Sequence, residues 1–151
     1  MEEMLSSREM IKVMVDDHQL IAKTINLLRL AFEDSPNEDQ IKDIARLISS
    51  LRENLIRHFK VEEDYGLLQE LAFEAPHIKC NVKDLCDEHR DMVDGINQIC
   101  RCFQEVVGGE VSMVSKCRDD FVDFVTRLQN HENRENDLIL EVYNYDMGGR
   151  G

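Results

Sequence analysis

Four long stretches of this sequence carry an apolar residue at every third or fourth position, with almost nothing inside them that stops a helix. Met14, His18, Ile21, Ile25, Leu28 and Phe32 form the first stripe, and Ile44, Ile48, Leu51, Leu55, His58, Glu62 and Tyr65 form the second. Val82, Leu85, His89, Met92, Ile96, Ile99 and Phe103 form the third, and Phe121, Phe124, Leu128, His131, Glu135, Leu138 and Val142 the fourth. Steps of three and four set such residues on one face of an α-helix. The chain has two prolines and seven glycines, three of the glycines within its last four residues, too little turn material for a many-stranded sheet.

Local signals mark the ends. Ser6 with Glu9 makes a capping box for a first helix running to about Phe32. Ser35-Pro36-Asn37-Glu38 predicts the start of the second, which must stop before Pro76 and can bend earlier at Gly66. Asn81 is a cap for the third, which ends at Gly108-Gly109, and Ser112 starts a fourth reaching about Tyr143. Short connections make successive helices antiparallel. The expected fold is all-α, an up-down-up-down four-helix bundle over residues 1–143, with 144–151 a flexible tail.

Eighteen Lys and Arg against 31 Asp and Glu give a net charge of −13, which disfavours nucleic acid or an anionic membrane as partner. No apolar run reaches the ~18 residues of a spanning helix, and Met1-Glu2-Glu3-Met4 is no signal peptide. A cytoplasmic protein is expected. None of the five cysteines (Cys80, Cys86, Cys100, Cys102, Cys117) is spaced C-x-x-C, so reduced structural thiols are expected rather than a zinc ribbon or redox pair.

The stripes contain residues that an apolar core does not tolerate alone. One histidine lies on each, and His58 and His131 are followed four residues later by Glu62 and Glu135 on the same face. A single buried histidine is commonplace. Two buried carboxylates beside four imidazoles are not, because an unpaired ionised carboxylate costs several kcal/mol to bury. No Lys or Arg shares the stripes, so the compensating charge must come from outside the chain, and metal ions supply it. Two imidazoles per ion and two bridging carboxylates give each of two ions four protein donors. A bridging oxide or hydroxide then leaves one octahedral position open. Such mixed donors suit iron, manganese or zinc.

The pattern is doubled. Asp17-His18 followed by Ile25-Asn26 matches Glu88-His89 followed by Ile96-Asn97, and His58-x-x-x-Glu62-Glu63-Asp64 matches His131-x-x-x-Glu135-Asn136-Asp137. His18 to His58 spans 40 residues and His89 to His131 spans 42, as two related αα-hairpins would require.

His18, His58-x-x-x-Glu62, His89 and His131-x-x-x-Glu135, in this order over about residues 6–143, resemble the hemerythrin-like, or HHE cation-binding, domain. The resemblance implies a four-helix bundle holding two non-haem iron ions. His18 and His58 would ligate one, His89 and His131 the other, with Glu62 and Glu135 bridging. Oxygen-carrying hemerythrins have a further histidine four residues after the third-helix ligand, where this chain has Val93. The four-His, two-Glu set looks like the branch that includes iron–sulfur repair and nitric-oxide-response proteins, although their short N-terminal cysteine-bearing module has no counterpart here. The expected activity is reaction with a diatomic or peroxide ligand, served by an electron donor that the sequence does not identify. A noncatalytic oxygen, nitric oxide or iron sensor or carrier, and an iron donor in iron-centre repair, are the alternatives.

Three other features stay apart from this set. Tyr65 either approaches the cluster as ligand, proton donor or radical sink, or closes one end of the core. His77, beside Pro76, reads as a solvated loop histidine. Met10, Met14 and Met92 read as core fillers.

Overall fold

A computed structural model describes residues 7–33, 36–64, 73 and 79–148. They form four helices: α1 (Ser7–Phe32), α2 (Glu38–Asp64), α3 (Lys79–Val107) and α4 (Val114–Gly148). Each neighbouring pair is antiparallel. Arg52 on α2 meets Asn97 on α3, while Glu63, later on α2, meets His89, earlier on α3. Glu88 and Cys102 of α3 pair with His131 and Cys117 of α4 in reversed order. Phe32 packs against Phe121, and His18 approaches Glu135, which closes α4 back on α1. The up-down-up-down bundle expected from the stripes is the fold.

Every stripe residue whose side chain is described faces inward, His18 being the least covered. Phe32, Phe103 and Phe121 fill one end of the core, with Phe32 5.7 Å from both other ring centroids. The histidines and glutamates occupy the other part of the bundle. Gly95 lets α3 approach α4 closely, since a Cβ there would stand 3.2 Å from the Phe124 ring.

The helix ends depart from expectation in instructive ways. The second helix is capped by Asn37, and Pro36 stands before the cap rather than at the first helical position. The Gln40 amide donates to Asn37 Oδ1 at 2.9 Å, and the Asn37 amide donates to Gln40 Oε1 at 2.8 Å. This reciprocal box satisfies two amides, which outweighs the preference of proline for the first helical position. Helix α3 begins at Lys79, before Asn81. A 3-10 turn at Val111–Met113 takes the place of a cap at Ser112. Helix α4 continues past Tyr143 to Gly148, because no proline or glycine intervenes. Ser6, Ser35, Gly66 and Pro76 lie outside the described residues.

The cysteine expectation is corrected. Cys102 and Cys117 form a disulfide across the α3–α4 hairpin, their Cα atoms 6.0 Å apart, while Cys86 and Cys100 remain thiols. A search for closely spaced cysteines misses this pair, since only the reversal of the chain brings positions 15 apart together.

That reversal depends on Gly109. The Glu110 amide donates to the Glu105 carbonyl and the Gly109 amide to the Val106 carbonyl, at 3.0 and 3.1 Å, with Gly109 at φ 124°. This is a Schellman ending, and its glycine adopts a conformation that a side chain resists. Gly109→Ala meets open space, so only backbone strain acts. The expected cost is about 1–2 kcal/mol, read as a loss of a few degrees in Tm by calorimetry, with the helix content of the folded state unchanged.

Candidate metal centre

Helices α2 and α4 each place a histidine and, one turn later, a glutamate on their inner face; α1 and α3 each add one histidine. His58, Glu62, His89, His131 and Glu135 are buried, and the His18 side chain is 11% exposed. The fold brings all six together in two overlapping groups. His18, His58, Glu62 and Glu135 form one, and Glu62, His89, His131 and Glu135 the other, with donor atoms within 4.8 Å of one another in each. Both carboxylates belong to both groups.

The donor atoms point at shared space rather than at one another. His89 Nε2 lies 2.9 Å from Glu62 Oε2, and His18 Nε2 lies 3.0 Å from His58 Nε2. His131 Nε2 is in contact with Glu135 Oε1. Yet all four oxygens of Glu62 and Glu135, with the Nε2 atoms of His89 and His131, lack a hydrogen bond of acceptable geometry among the described residues. Unsatisfied buried groups of this polarity are expensive, and a single orphan is already unusual in a folded protein. Six of them converging are satisfied together by cations, which take lone pairs from imidazole and carboxylate alike. Among the described residues, the only basic side chains in ion-pair range of the two glutamates are these histidines.

The far nitrogens are held as well. His58 Nδ1 faces Asp17 Oδ2 at 3.2 Å, His89 Nδ1 faces Glu63 Oε1 at 3.0 Å, and His131 Nδ1 faces Glu88 Oε2 at 2.8 Å. A carboxylate behind an imidazole fixes its tautomer and turns the Nε2 lone pair inward. Glu88 is anchored in turn by Arg134. Every one of these carboxylates is a sequence neighbour of a stripe residue: Asp17 precedes His18, Glu63 follows Glu62 and Glu88 precedes His89. They were missed because their partners lie on other helices, although the acid beside the histidine in both repeats was a signal. Tyr65 and His77 lie outside the described residues.

Without a cation the cluster is stabilised by protons. Burial opposes charge on His89, but the carboxylates of Glu135 and Glu62 outweigh it and push its pKa up to about 10. His58 is raised to about 9 against the same burial penalty by Glu62. Burial would raise Glu62, but the close imidazoles of His58 and His89 lower it to about 2. His18 goes the other way, to about 4, through burial and the nearby His58 charge. Burial raises Glu132, beside His131, to about 7.

The resulting pH dependence has a definite sign. His58 and His89 carry protons at pH 7 in the cation-free protein, whereas a ligating imidazole must be neutral. Divalent-cation loading at pH 7 is therefore expected to release protons, and affinity to rise with pH until about 9 to 10. Titration calorimetry in buffers of different ionisation enthalpy reads the release directly. Uptake without proton release would contradict the assignment.

A family model described as the hemerythrin HHE cation binding domain matches residues 9–143. No curated protein and no solved structure gives a significant match. Among the described residues, no helix is long and apolar enough to cross a membrane.

Proposed function

The chain belongs to the hemerythrin HHE cation-binding family, and from that premise we propose that it is a non-haem di-iron protein that binds and reacts with oxygen, nitric oxide or peroxide. The observation that carries the reading is the sharing of Glu62 and Glu135 by both ligand groups. Two independent cation sites would need separate carboxylates. Two carboxylates shared between two imidazole pairs suit two like ions side by side. His18 and His58 would hold one and His89 and His131 the other, with Glu62 and Glu135 reaching both. The imidazole and carboxylate donors suit iron. When bound, the pair supplies open coordination positions and one-electron oxidation and reduction for a small molecule.

The chain's own residues set the conditions for that chemistry. The Phe59 ring stacks on His89 with centroids 4.3 Å apart, and Met92 is buried one turn along α3. His18 is the most exposed of the four histidines, and a small ligand would enter on its side. Asp17, Glu63 and Glu88 keep three of the imidazoles oriented while the ligand binds.

The test is stopped-flow mixing of the reduced, iron-loaded protein with oxygen, nitric oxide and hydrogen peroxide in turn. A chain binding about two irons, with a visible absorption change on mixing with at least one of the three, is expected. An adduct lost on evacuation marks a carrier, and product turnover marks an enzyme. A chain that takes only zinc, or iron inert to all three, overturns the proposal.

The bridging role of Glu135 has its own check. Glu135→Ala is expected to retain at most about one iron per chain and to lose most of the rise in Tm that iron gives the wild type. Elemental analysis and calorimetry measure the two. Wild-type iron content in this variant would refute bridging by Glu135.

A further inference from the structure

The internal repeat duplicates the ligands but not the groups that hold them in place. Between the two HxxxE segments, Phe59 stands opposite Glu132, Val61 opposite Arg134 and Glu63 opposite Asn136. All three differences bear on the same pair of imidazoles.

His89 and His131 are held from two sides. His89 Nδ1 lies 3.0 Å from Glu63 Oε1, and His131 Nδ1 lies 2.8 Å from Glu88 Oε2. Glu88 is itself tied, because the Arg134 guanidinium donates to its other oxygen. The buried Phe59 ring stacks on His89 with centroids 4.3 Å apart and meets His131 edge to face at 5.9 Å. Turning either imidazole away from a cation therefore breaks a contact with a carboxylate and a packing contact together.

His18 and His58 have less support. The three carboxylates behind the imidazoles are divided so that one, Asp17, serves this pair, at 3.2 Å from His58 Nδ1, and two serve the other. Val61, placed as Arg134 is in the second half, has no charge with which to tether Asp17. Asn136, placed as Glu63 is in the first half, is neutral and exposed. His18 is also the most exposed of the four histidines. An imidazole backed by a carboxylate is the stronger donor, and one already held in place loses less freedom when it binds.

We propose that the chain holds one resident and one exchangeable cation. The ion at His89 and His131 is retained, and the ion at His18 and His58 is taken up last and given up first. The inference rests on the two-cation reading above, and it assigns exchange with solution to the flank on which His18 is exposed.

Cobalt(II) is a suitable probe, because its visible absorption follows the filling of each site. Metal-free wild type, Asp17→Asn, Glu63→Gln and Glu88→Gln are titrated anaerobically with cobalt(II), and the loaded proteins are then challenged with excess EDTA. The wild type is expected to take two ions with affinities about tenfold or more apart and to lose them in two phases. Glu63→Gln and Glu88→Gln are each expected to weaken the tighter ion about tenfold and to quicken the slow phase, so the gap between the two affinities narrows. Asp17→Asn is expected to weaken the looser ion, so the gap widens. A general loss of folding would weaken both ions together, and the ratio of two affinities within one molecule separates that effect from lost support.

Two wild-type ions of equal affinity released in one phase would overturn the assignment. So would a gap that narrows in Asp17→Asn, or one that stays the same in all three variants. Each of these results leaves the two-cation reading standing. A wild type that saturates below two ions overturns that reading and this inference with it.

Discussion

Two carboxylates buried between four imidazoles, in a bundle otherwise filled with Leu, Ile and Phe, set the terms for the whole structure. An ionised carboxylate in such a core is untenable without opposite charge, and the bundle offers only imidazoles. Protons on His58 and His89 supply that charge in the cation-free protein, and cations replace them with a stronger and better-directed partner. The helices are positioned so that this exchange takes place at one point. Each of the four contributes to it, and none could complete it alone.

The apolar remainder of the core has a complementary role. The Phe32, Phe103 and Phe121 cluster fixes one end, and the Cys102–Cys117 disulfide and the Gly109 turn fix the α3–α4 hairpin beside it. With that end held by packing and covalent linkage, the polar cluster can sit in the other part of the bundle without determining the register of the helices. The supporting carboxylates Asp17, Glu63 and Glu88 lie on the rim, partly in solvent, where their charge is cheaper to keep than that of Glu62 or Glu135.

The duplicated hairpin gives near-symmetry to the ligands and removes it from their surroundings. His18 pairs with His58 as His89 pairs with His131, yet Phe59 stands where the second half has Glu132, and Glu63 where it has Asn136. The buried histidines and glutamates recur in both halves, whereas the positions around them differ.

Much of this was legible in the sequence, because the helices and the faces they bury follow local rules. Apolar steps of three and four, with little glycine or proline, require helices, and short connections make neighbours antiparallel. A histidine and a glutamate one turn apart on the same stripe must share a face. That logic located His18, His58, Glu62, His89, His131 and Glu135. It could not locate partners that depend on how helices are rotated and juxtaposed. The carboxylates behind three of the imidazoles and the disulfide between Cys102 and Cys117 each join residues far apart in the chain. The Asn37 cap was hidden differently: several neighbouring residues carry cap chemistry, and only the backbone path decides which side chain reaches a free amide. Periodicity thus determined the elements and the faces they bury. The tertiary structure decided which atoms on those faces meet, since distance and direction between helices are not properties of any one segment.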